Sequence, residues 1–421
     1  MRNYSSIFPM VIIGILFFIF GFVTWLNGSL IPFLKVICNL TEFQALFVTF
    51  AFYIAYTVMA LPMASVLEKT GYKNAMAIGL GVMVVGSLLF IPAALSANFI
   101  IFLLALFTLG TGLTILQTAS NPYVVLIGPI ESAAMRISIM GLINKSAGVL
   151  VPILFTALVL SDIGSISGDL SNEDIEELAR RLIMPYIVMA IVLTGLIGLV
   201  KFSSIPELEF EKEDEYDKGS ILQFPRVIMG AIALFFYVGI EVIAGDTIGL
   251  YAQGLEVANA TALTSYTMVF MVLGYLVGVF FIPKYLSQEK ALISSALVGI
   301  LFLLGVAFSS TESHGISEFL WGWSGVATLP DTVSFVALLG FANALVWPTI
   351  WPLALEGLGK YTAKGSALLI MAIAGGAILP LIFGRIAQAT GDMQLSYLVG
   401  IVCYLFIFMY AIKWHKMSSW K

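Results

Sequence analysis

Twelve long apolar stretches restrict the fold of this 421-residue chain more than any other feature. The hydrocarbon core of a bilayer is about 30 Å thick, and a helix needs roughly 20 apolar residues to cross it. Runs of this length are typical of membrane-spanning helices and not of the shorter, alternating strands of a barrel. The stretches, numbered spans 1 to 12, are predicted at residues 8–34, 43–67, 74–95, 99–127, 134–160, 183–202, 225–252, 260–285, 290–309, 332–355, 363–388 and 394–413.

The composition supports an all-α, multi-pass protein whose surroundings are the lipid bilayer. Hydrophobic residues make up 60% of the chain and charged residues only 11%, far from the balance of a water-soluble domain. The net charge of −5 gives no reason to expect a nucleic-acid partner. The two cysteines, Cys38 and Cys403, are far apart in sequence and indicate no disulfide framework.

The distribution of lysine and arginine predicts the orientation in the membrane. Cytoplasmic loops carry an excess of these residues. With a cytoplasmic N-terminus, the outer side holds only Lys35, Arg180, Arg181 and, near the end of span 11, Arg385. The cytoplasmic side then holds Lys69, Lys73, Arg136, Lys201, Lys212, Lys218, Arg226, Lys284, Lys290, Lys360, Lys364, Lys413, Lys416 and Lys421. We therefore expect both termini in the cytoplasm.

A charged stretch between spans 6 and 7 divides the chain into two halves. The stretch "SSIPELEFEKEDEYDKGS" begins at Ser203 and is the longest charged run, which is typical of a solvated linker. It predicts an N-terminal six-helix bundle at 1–202, a cytoplasmic linker at 203–224 and a C-terminal six-helix bundle at 225–421.

The two halves repeat each other weakly but in order. Gln117 and Pro122 in span 4 match Asn343 and Pro348 in span 10 at one offset of 226 residues. "AGVLVPILF" in span 5 resembles "GGAILPLIF" in span 11. Two parallel six-helix repeats in two pseudo-symmetric bundles are the arrangement of the major facilitator fold.

Amides and aromatic residues inside spans 4 and 10 indicate a ligand site. Gln117 and Asn121 are four residues apart and share a helix face. Asn343, Trp347 and Trp351 repeat this spacing in span 10. Amides supply both donors and acceptors, and rings supply flat apolar faces, so the set suits a sugar. Packing of helices through amide hydrogen bonds and tryptophan rings is the alternative interpretation.

Helix-weakening residues lie beside these amides. A proline such as Pro122 frees carbonyls one turn earlier, near Thr118, and irregular backbone at membrane depth is tolerated where it lines a cavity. We therefore expect local unwinding in span 4, and also in span 1 at Asn27-Gly28-Ser29, with Asn27 at the substrate.

Three ionisable residues lie deep inside spans, which makes each a functional candidate. Lys145 in span 5 needs a carboxylate partner, and span 7 supplies the central ones, Glu241 and Asp246. These two are five residues apart, roughly 140° around a helix, and share a face only if the helix unwinds at Gly245. One can then pair with Lys145 while the other binds a coupling cation; a static ion pair between the halves is the alternative. Asn144, next to Lys145, is expected to flank the same cavity.

Several classes of chemistry are not indicated. The two histidines lie outside the spans, no cluster has metal-ligand spacing, and no phosphate-binding loop of the GxxxxGK type is present. We therefore expect no enzyme, no cofactor and no metal beyond a possible Na⁺, with Na⁺ or H⁺ as the coupling ion. The default oligomeric state is a monomer.

Taken together, six stretches resemble the fucose/galactose/glucose symporter family of the major facilitator superfamily, particularly its glucose/galactose transporter branch. They are "FFIFGFVTWLNGSLIPFLK", "QALFVTFAFYIAYTVMALP", "ILQTASNPYV", "IGPIESAAMRISI", "FFYVGIEV" and "VWPTIWPLALEGLG". The resemblance implies sugar uptake by alternating access, driven by a cation gradient, in the bacterial inner membrane.

The resemblance also has departures. The proton-coupled fucose pattern has acids where this chain has Gly28 and Gln117, whereas Asn144 matches a substrate-contacting asparagine of the family. Some members of the glucose/galactose branch are sodium-driven, which agrees with the loss of those acids. The sequence thus predicts a hexose symporter with Na⁺ preferred over H⁺. The hydroxyls of the sugar would be bound by Gln117, Asn121, Asn144 and Asn343. The alternatives are a carrier of an anionic or amino sugar that contacts Lys145, and an uncoupled sugar facilitator.

Overall fold

The computed structural model describes residues 7–127, 133–160, 171–203, 205–206, 220–282, 285–358 and 361–420. Every regular element in these ranges is a helix, as the composition predicts. The α-helices of the first half are Ile7–Ile37, Glu42–Ala45, Phe47–Ser96, Phe99–Leu126, Ala133–Val159, Asn172–Arg180 and Ile183–Phe202. Those of the second half are Pro225–Asp246, Ile248–Gly254, Thr264–Phe281, Gln288–Phe308, Gly315–Trp321, Asp331–Asn343, Val346–Leu355, Thr362–Met371, Gly375–Thr390, Met393–Ser396 and Val399–Ile412.

Twelve segments of the described chain are long and apolar enough to cross a membrane, and they confirm the predicted spans in number and order. They are Phe8–Ile37, Glu42–Met63, Ser65–Ser96, Phe99–Asn121, Met135–Val159, Glu173–Phe202, Pro225–Asp246, Ala260–Phe281, Gln288–Phe308, Asp331–Leu355, Lys364–Thr390 and Met393–Lys416. The division into bundles at 203–224 stays a prediction, because 204 and 207–219 lie outside the described residues.

Spans 2 and 3 are joined without a loop between them. The helix Phe47–Ser96 contains one residue with non-helical angles, Gly71, at φ 78° and ψ 169°. A positive φ costs glycine little because it has no Cβ. The chain therefore reverses direction between the two spans at this single residue.

The predicted unwinding in spans 1 and 4 is wrong. The helix Ile7–Ile37 continues through Asn27, and Phe99–Leu126 continues through Thr118. In span 1, Gly28 itself packs closely against Thr264 and against the carbonyl oxygen of Gly245; in span 4, a proline removes only one helical hydrogen bond and is tolerated within a membrane helix.

Breaks occur in the second half instead. The helix of span 7 ends at Asp246, and a new helix begins at Ile248. Span 10 is interrupted between Asn343 and Val346, and a 3₁₀ turn at Ala372–Ala374 interrupts span 11. Span 7 is therefore helical through Gly245, the position named from the sequence, and its helix is interrupted two residues later, at Thr247.

Short hydroxyl side chains hold the two halves together at one end of the bundle. Ser29 donates to the carbonyl of Thr261 at 2.6 Å, the hydroxyls of Thr156 and Thr261 lie 2.8 Å apart, and Ser265 donates to the carbonyl of Val149 at 2.7 Å. With twelve spans both chain ends lie on one face, and these bonds lie toward the opposite face, where spans 1 and 5 end and span 8 begins. We call this group of contacts the hydroxyl seam.

Packing of span 11 against span 7 generates a stability prediction. A Cβ on Gly375 would overlap the carbonyl oxygen of Phe235, whereas a Cβ on Gly198 of span 6 would meet no atom within 4 Å. Gly375→Ala is expected to lower the free energy of unfolding by about 1–3 kcal/mol, because backbone cannot move aside as a side chain can. Gly198→Ala, the matched control, should leave stability unchanged or slightly raised. Thermal unfolding of the detergent-purified variants measures both, and equal melting temperatures would contradict the packing.

Candidate functional site

A cavity lies between the two halves, on the side of the hydroxyl seam that faces the chain termini. Spans 1, 2, 4 and 5 of the first half and spans 7, 8, 10 and 11 of the second half contribute to its walls. In span 1 the lining residues Phe17, Phe20 and Thr24 are three or four apart, so one continuous face of the helix borders the cavity. Because eight spans form the site, residues that are far apart in the sequence lie next to each other in its walls.

A buried ion pair crosses the cavity from one half to the other. The Lys145 ammonium lies 2.7 Å from Oε1 of Glu241, and each side chain is only 9% exposed. The prediction that Lys145 pairs with a carboxylate of span 7 is confirmed, and the partner is Glu241. Tyr237 donates its hydroxyl to the same carboxylate oxygen at 2.7 Å. Such extra hydrogen bonds offset the cost of removing two charges from water.

Trp25, which the sequence did not single out, positions this pair from span 1. Its ring centroid lies 4.3 Å from the Lys145 ammonium, a cation–π contact. Its indole nitrogen donates to Oδ1 of Asn144 at 3.4 Å, and Asn144 in turn donates to the carbonyl of Phe17 at 3.3 Å. A tryptophan at the middle of an apolar run, away from the membrane interfaces, was the signal that could have revealed it.

The two amides of span 4 both border the cavity, as their spacing predicts. Gln117 donates from Nε2 to the hydroxyl of Tyr56 at 2.8 Å, which leaves its carbonyl oxygen as an acceptor. Asn121 lies one turn further along the same face and is partly exposed. Tyr56 is a second residue that sequence reasoning missed, because its partner is 61 residues away.

Only one of the three predicted residues of span 10 lines the cavity. Trp347 borders it, and Trp351 lies behind, stacked on Trp347 with ring centroids 5.2 Å apart. Asn343 is fully buried away from the cavity, where its Oδ1 accepts from the hydroxyl of Tyr404 in span 12 at 2.8 Å. The break after Asn343 is the physical reason, because four-residue spacing places side chains on one stripe only along an unbroken helix.

Asn27 and Asp246 lie next to the cavity, toward the hydroxyl seam, and do not line it. Spans 1 and 7 touch here, since a Cβ on Gly28 would lie 3.1 Å from the carbonyl oxygen of Gly245. Asp246 is 0% exposed and Asn27 is 1% exposed. Neither carboxylate oxygen of Asp246 and neither amide atom of Asn27 has a hydrogen-bond partner among the described residues.

A buried carboxyl group in this state is costly unless a proton or another cation neutralises it. The helix of span 7 ends at Asp246 and the next helix begins at Ile248, so the partial negative charge of one helix end and the partial positive charge of the other oppose each other here. Within the described residues, no group of three or more histidine, cysteine or acidic side chains could hold a metal ion.

Comparisons with known proteins agree with this architecture. The family described as "Major Facilitator Superfamily" matches residues 13–380. A "Glucose/galactose transporter" of Brucella abortus is 33% identical over 98% of this chain and 94% of its own length. A "Putative glucose/galactose transporter" of Helicobacter pylori is 31% identical over the full length of both chains. A crystal structure of the Escherichia coli fucose:proton symporter FucP superposes with a TM-score of 0.73 and 25% identity, covering 97% of this chain and 98% of that one.

The ion pair predicts how stability responds to substitution. Removal of one partner, by Lys145→Met or Glu241→Leu, is expected to cost up to about 3–5 kcal/mol, because it leaves the other charge buried without a counter-charge. The double variant should recover most of that loss. Glu177→Ala, which removes the exposed pair with Arg181, serves as control and should cost less than about 1 kcal/mol. Thermal unfolding of the four variants measures the cycle, and additive single losses in the double variant would contradict a direct pairing.

Proposed function

The chain belongs to the major facilitator superfamily, and on that premise we propose that it imports a hexose of the glucose or galactose type together with a cation. Membership confirms the expectation of a transporter and not an enzyme. The proposed site of action is the bacterial inner membrane, with both termini in the cytoplasm. Relatives named glucose/galactose transporters, similar over nearly the whole chain, support the choice of hexose.

The observation that carries the proposal is the chemistry of the cavity between the halves. Gln117, Asn121 and Asn144 offer donors and acceptors that can be aimed at hydroxyls, and Trp347 offers a flat apolar face. Neutral sugars need this combination of directional hydrogen bonds and ring contact. The site's fixed charges, Lys145 and Glu241, cancel each other, which favours a neutral sugar over the anionic or amino sugar considered from the sequence.

We divide the roles of the two acids in span 7. Glu241 is already neutralised by Lys145, so it needs no further cation. Asp246 has no ion-pair partner at contact distance and no hydrogen-bond donor among the described residues. The coupling cation therefore belongs at Asp246, and Glu241 leaves the coupling role that the sequence suggested for it.

Sodium fits the residues around Asp246 better than a proton does. Na⁺ is a hard cation that takes oxygen ligands, as its neighbours Ca²⁺ and Mg²⁺ do. The Asp246 carboxylate and the free amide oxygen of Asn27 are oxygens without partners, on two helices in contact. A proton on the carboxylate could be shared with the Asn27 amide oxygen as well, so the choice of Na⁺ rests on the two oxygen ligands and on the resemblance to the glucose/galactose branch, and the uptake experiment below decides it. An uncoupled facilitator would leave the buried Asp246 unexplained.

In a cycle of alternating access between the two halves, the hydroxyl seam would be the contact that closes the cavity on one side. With cytoplasmic termini the seam lies on the outer side, so the structure is closed toward the outside at Ser29, Thr156 and Thr261. Opening of the seam would bring the cavity, with Asp246 and Asn27 beside it, into reach of the external solution. Cation and sugar could then enter from the same side.

Uptake into proteoliposomes tests the function. Labelled glucose and galactose are offered under an inward Na⁺ gradient at clamped pH, and separately under an inward proton gradient without Na⁺. We expect accumulation above equilibrium under Na⁺ alone. Accumulation under protons alone would reject Na⁺ as the coupling ion, and no uptake of either sugar under either gradient would reject hexose symport.

Asp246→Asn isolates the proposed cation site. The substitution removes the negative charge and keeps the shape, so gradient-driven accumulation should fall to the equilibrium level while sugar binding is retained. Glu312→Gln, the same kind of change at an exposed carboxylate, is the control and should accumulate sugar like the parent. Undiminished accumulation by Asp246→Asn would exclude this residue as the coupling site.

A further inference from the structure

The ion pair leaves half of the Glu241 carboxylate unused. The Lys145 ammonium and the Tyr237 hydroxyl both donate to Oε1, each at 2.7 Å. No donor from the described residues reaches Oε2, and Glu241 lines the cavity. An ionised carboxylate can accept on both oxygens. Oε2 is therefore an acceptor available to a ligand.

Lys145 also has spare donor capacity on the cavity side. An ammonium group has three N–H donors, of which one is used by Oε1 of Glu241 and one side is covered by the ring of Trp25. Lys145 lines the cavity too. The pair thus presents a charged donor and a charged acceptor next to each other, with no net charge.

We propose that Lys145 and Glu241 together bind two adjacent hydroxyl groups of the transported sugar, and we call this pair of residues the clamp. Oε2 of Glu241 accepts a hydrogen bond from one hydroxyl, and the Lys145 ammonium donates to the oxygen of its neighbour. Adjacent ring hydroxyls are about one hydrogen-bond length apart, and the contact of Nζ with Oε1 at 2.7 Å holds the ammonium and the carboxylate side by side, so that two neighbouring hydroxyls can reach both groups. This inference rests on the proposed function and adds to it a specificity determinant that no single amide of the cavity supplies.

The surroundings hold the pair ready for this role. Tyr237 fixes one oxygen of the carboxylate, and Trp25 fixes the ammonium from the other side. Little side-chain entropy remains to be lost when the sugar binds. Hydrogen bonds to charged groups are stronger than those to amides, so this contact should dominate discrimination among sugars that differ at one hydroxyl.

The test is a binding series on the purified, full-length parent protein. Dissociation constants are measured calorimetrically for glucose, galactose and their singly deoxy and deoxyfluoro analogues. Fluorine cannot donate a hydrogen bond but can still accept weakly. At the position bound by Glu241, both analogues should bind about 10- to 100-fold more weakly. At the adjacent position bound by Lys145, the deoxy analogue should lose a similar factor and the fluoro analogue clearly less.

Glu241→Gln supplies the matching protein variant. The substitution keeps the shape of the side chain but removes its charge, so discrimination against the analogues at the first position should shrink toward that of an ordinary amide contact. Glu312→Gln should retain the parent's profile. The parent series decides by itself if Glu241→Gln does not fold.

The outcomes separate the two levels of the proposal. If the parent binds a hexose but no two adjacent positions show the paired pattern, the clamp is rejected and hexose transport stands. An unchanged analogue profile in a folded Glu241→Gln variant rejects the clamp as well. If the parent binds neither hexose, the proposed function fails and the clamp fails with it.

Discussion

A charge within a membrane-spanning helix must find its counter-charge inside the protein, because neither lipid nor a dry interior can solvate it. Lys145 meets this requirement across the boundary between the halves, at Glu241. The pair determines which faces of spans 5 and 7 pack toward each other. Trp25, Asn144 and Tyr237 lie around it. The positions of several residues that line the cavity are thus determined by this one ion pair.

The same requirement explains the contrast between the two acids of span 7. Glu241 has a cation and a tyrosine in direct contact, whereas the fully buried Asp246 forms no hydrogen bond and no contact ion pair among the described residues. A buried carboxyl group without such partners does not stabilise the fold, and under the proposed function the coupling cation would neutralise it for part of the transport cycle. The proposal thereby assigns sugar binding and cation coupling to one helix, at residues roughly one and a half turns apart and on different faces.

The sequence predicted features that depend on cost and periodicity, and it missed those that depend on helix rotation and breaks. Twelve spans, a partner for Lys145 and a shared face for Gln117 and Asn121 all follow from lipid thickness, charge burial and helix geometry. Asn343 was misplaced because a two-residue break in span 10 turns it toward Tyr404. Trp25 and Tyr56 were missed because nothing local in a membrane helix reveals which side meets a partner span more than 60 residues away.

The hydroxyl seam has a further consequence for the energetics of opening. Its side chains are serine and threonine, which in a helix can turn one bond and donate to the carbonyl four residues earlier. Thr114, Thr118 and Ser146 of this protein already bond in that way. In the proposed transport cycle, separation of the halves would let a hydroxyl such as Ser29 exchange its partner across the seam for the carbonyl of Trp25, four residues earlier in its own helix. If the proposed cycle opens the seam in this way, its closed and open states would carry similar numbers of hydrogen bonds, and ligands worth only a few kcal/mol could decide between them.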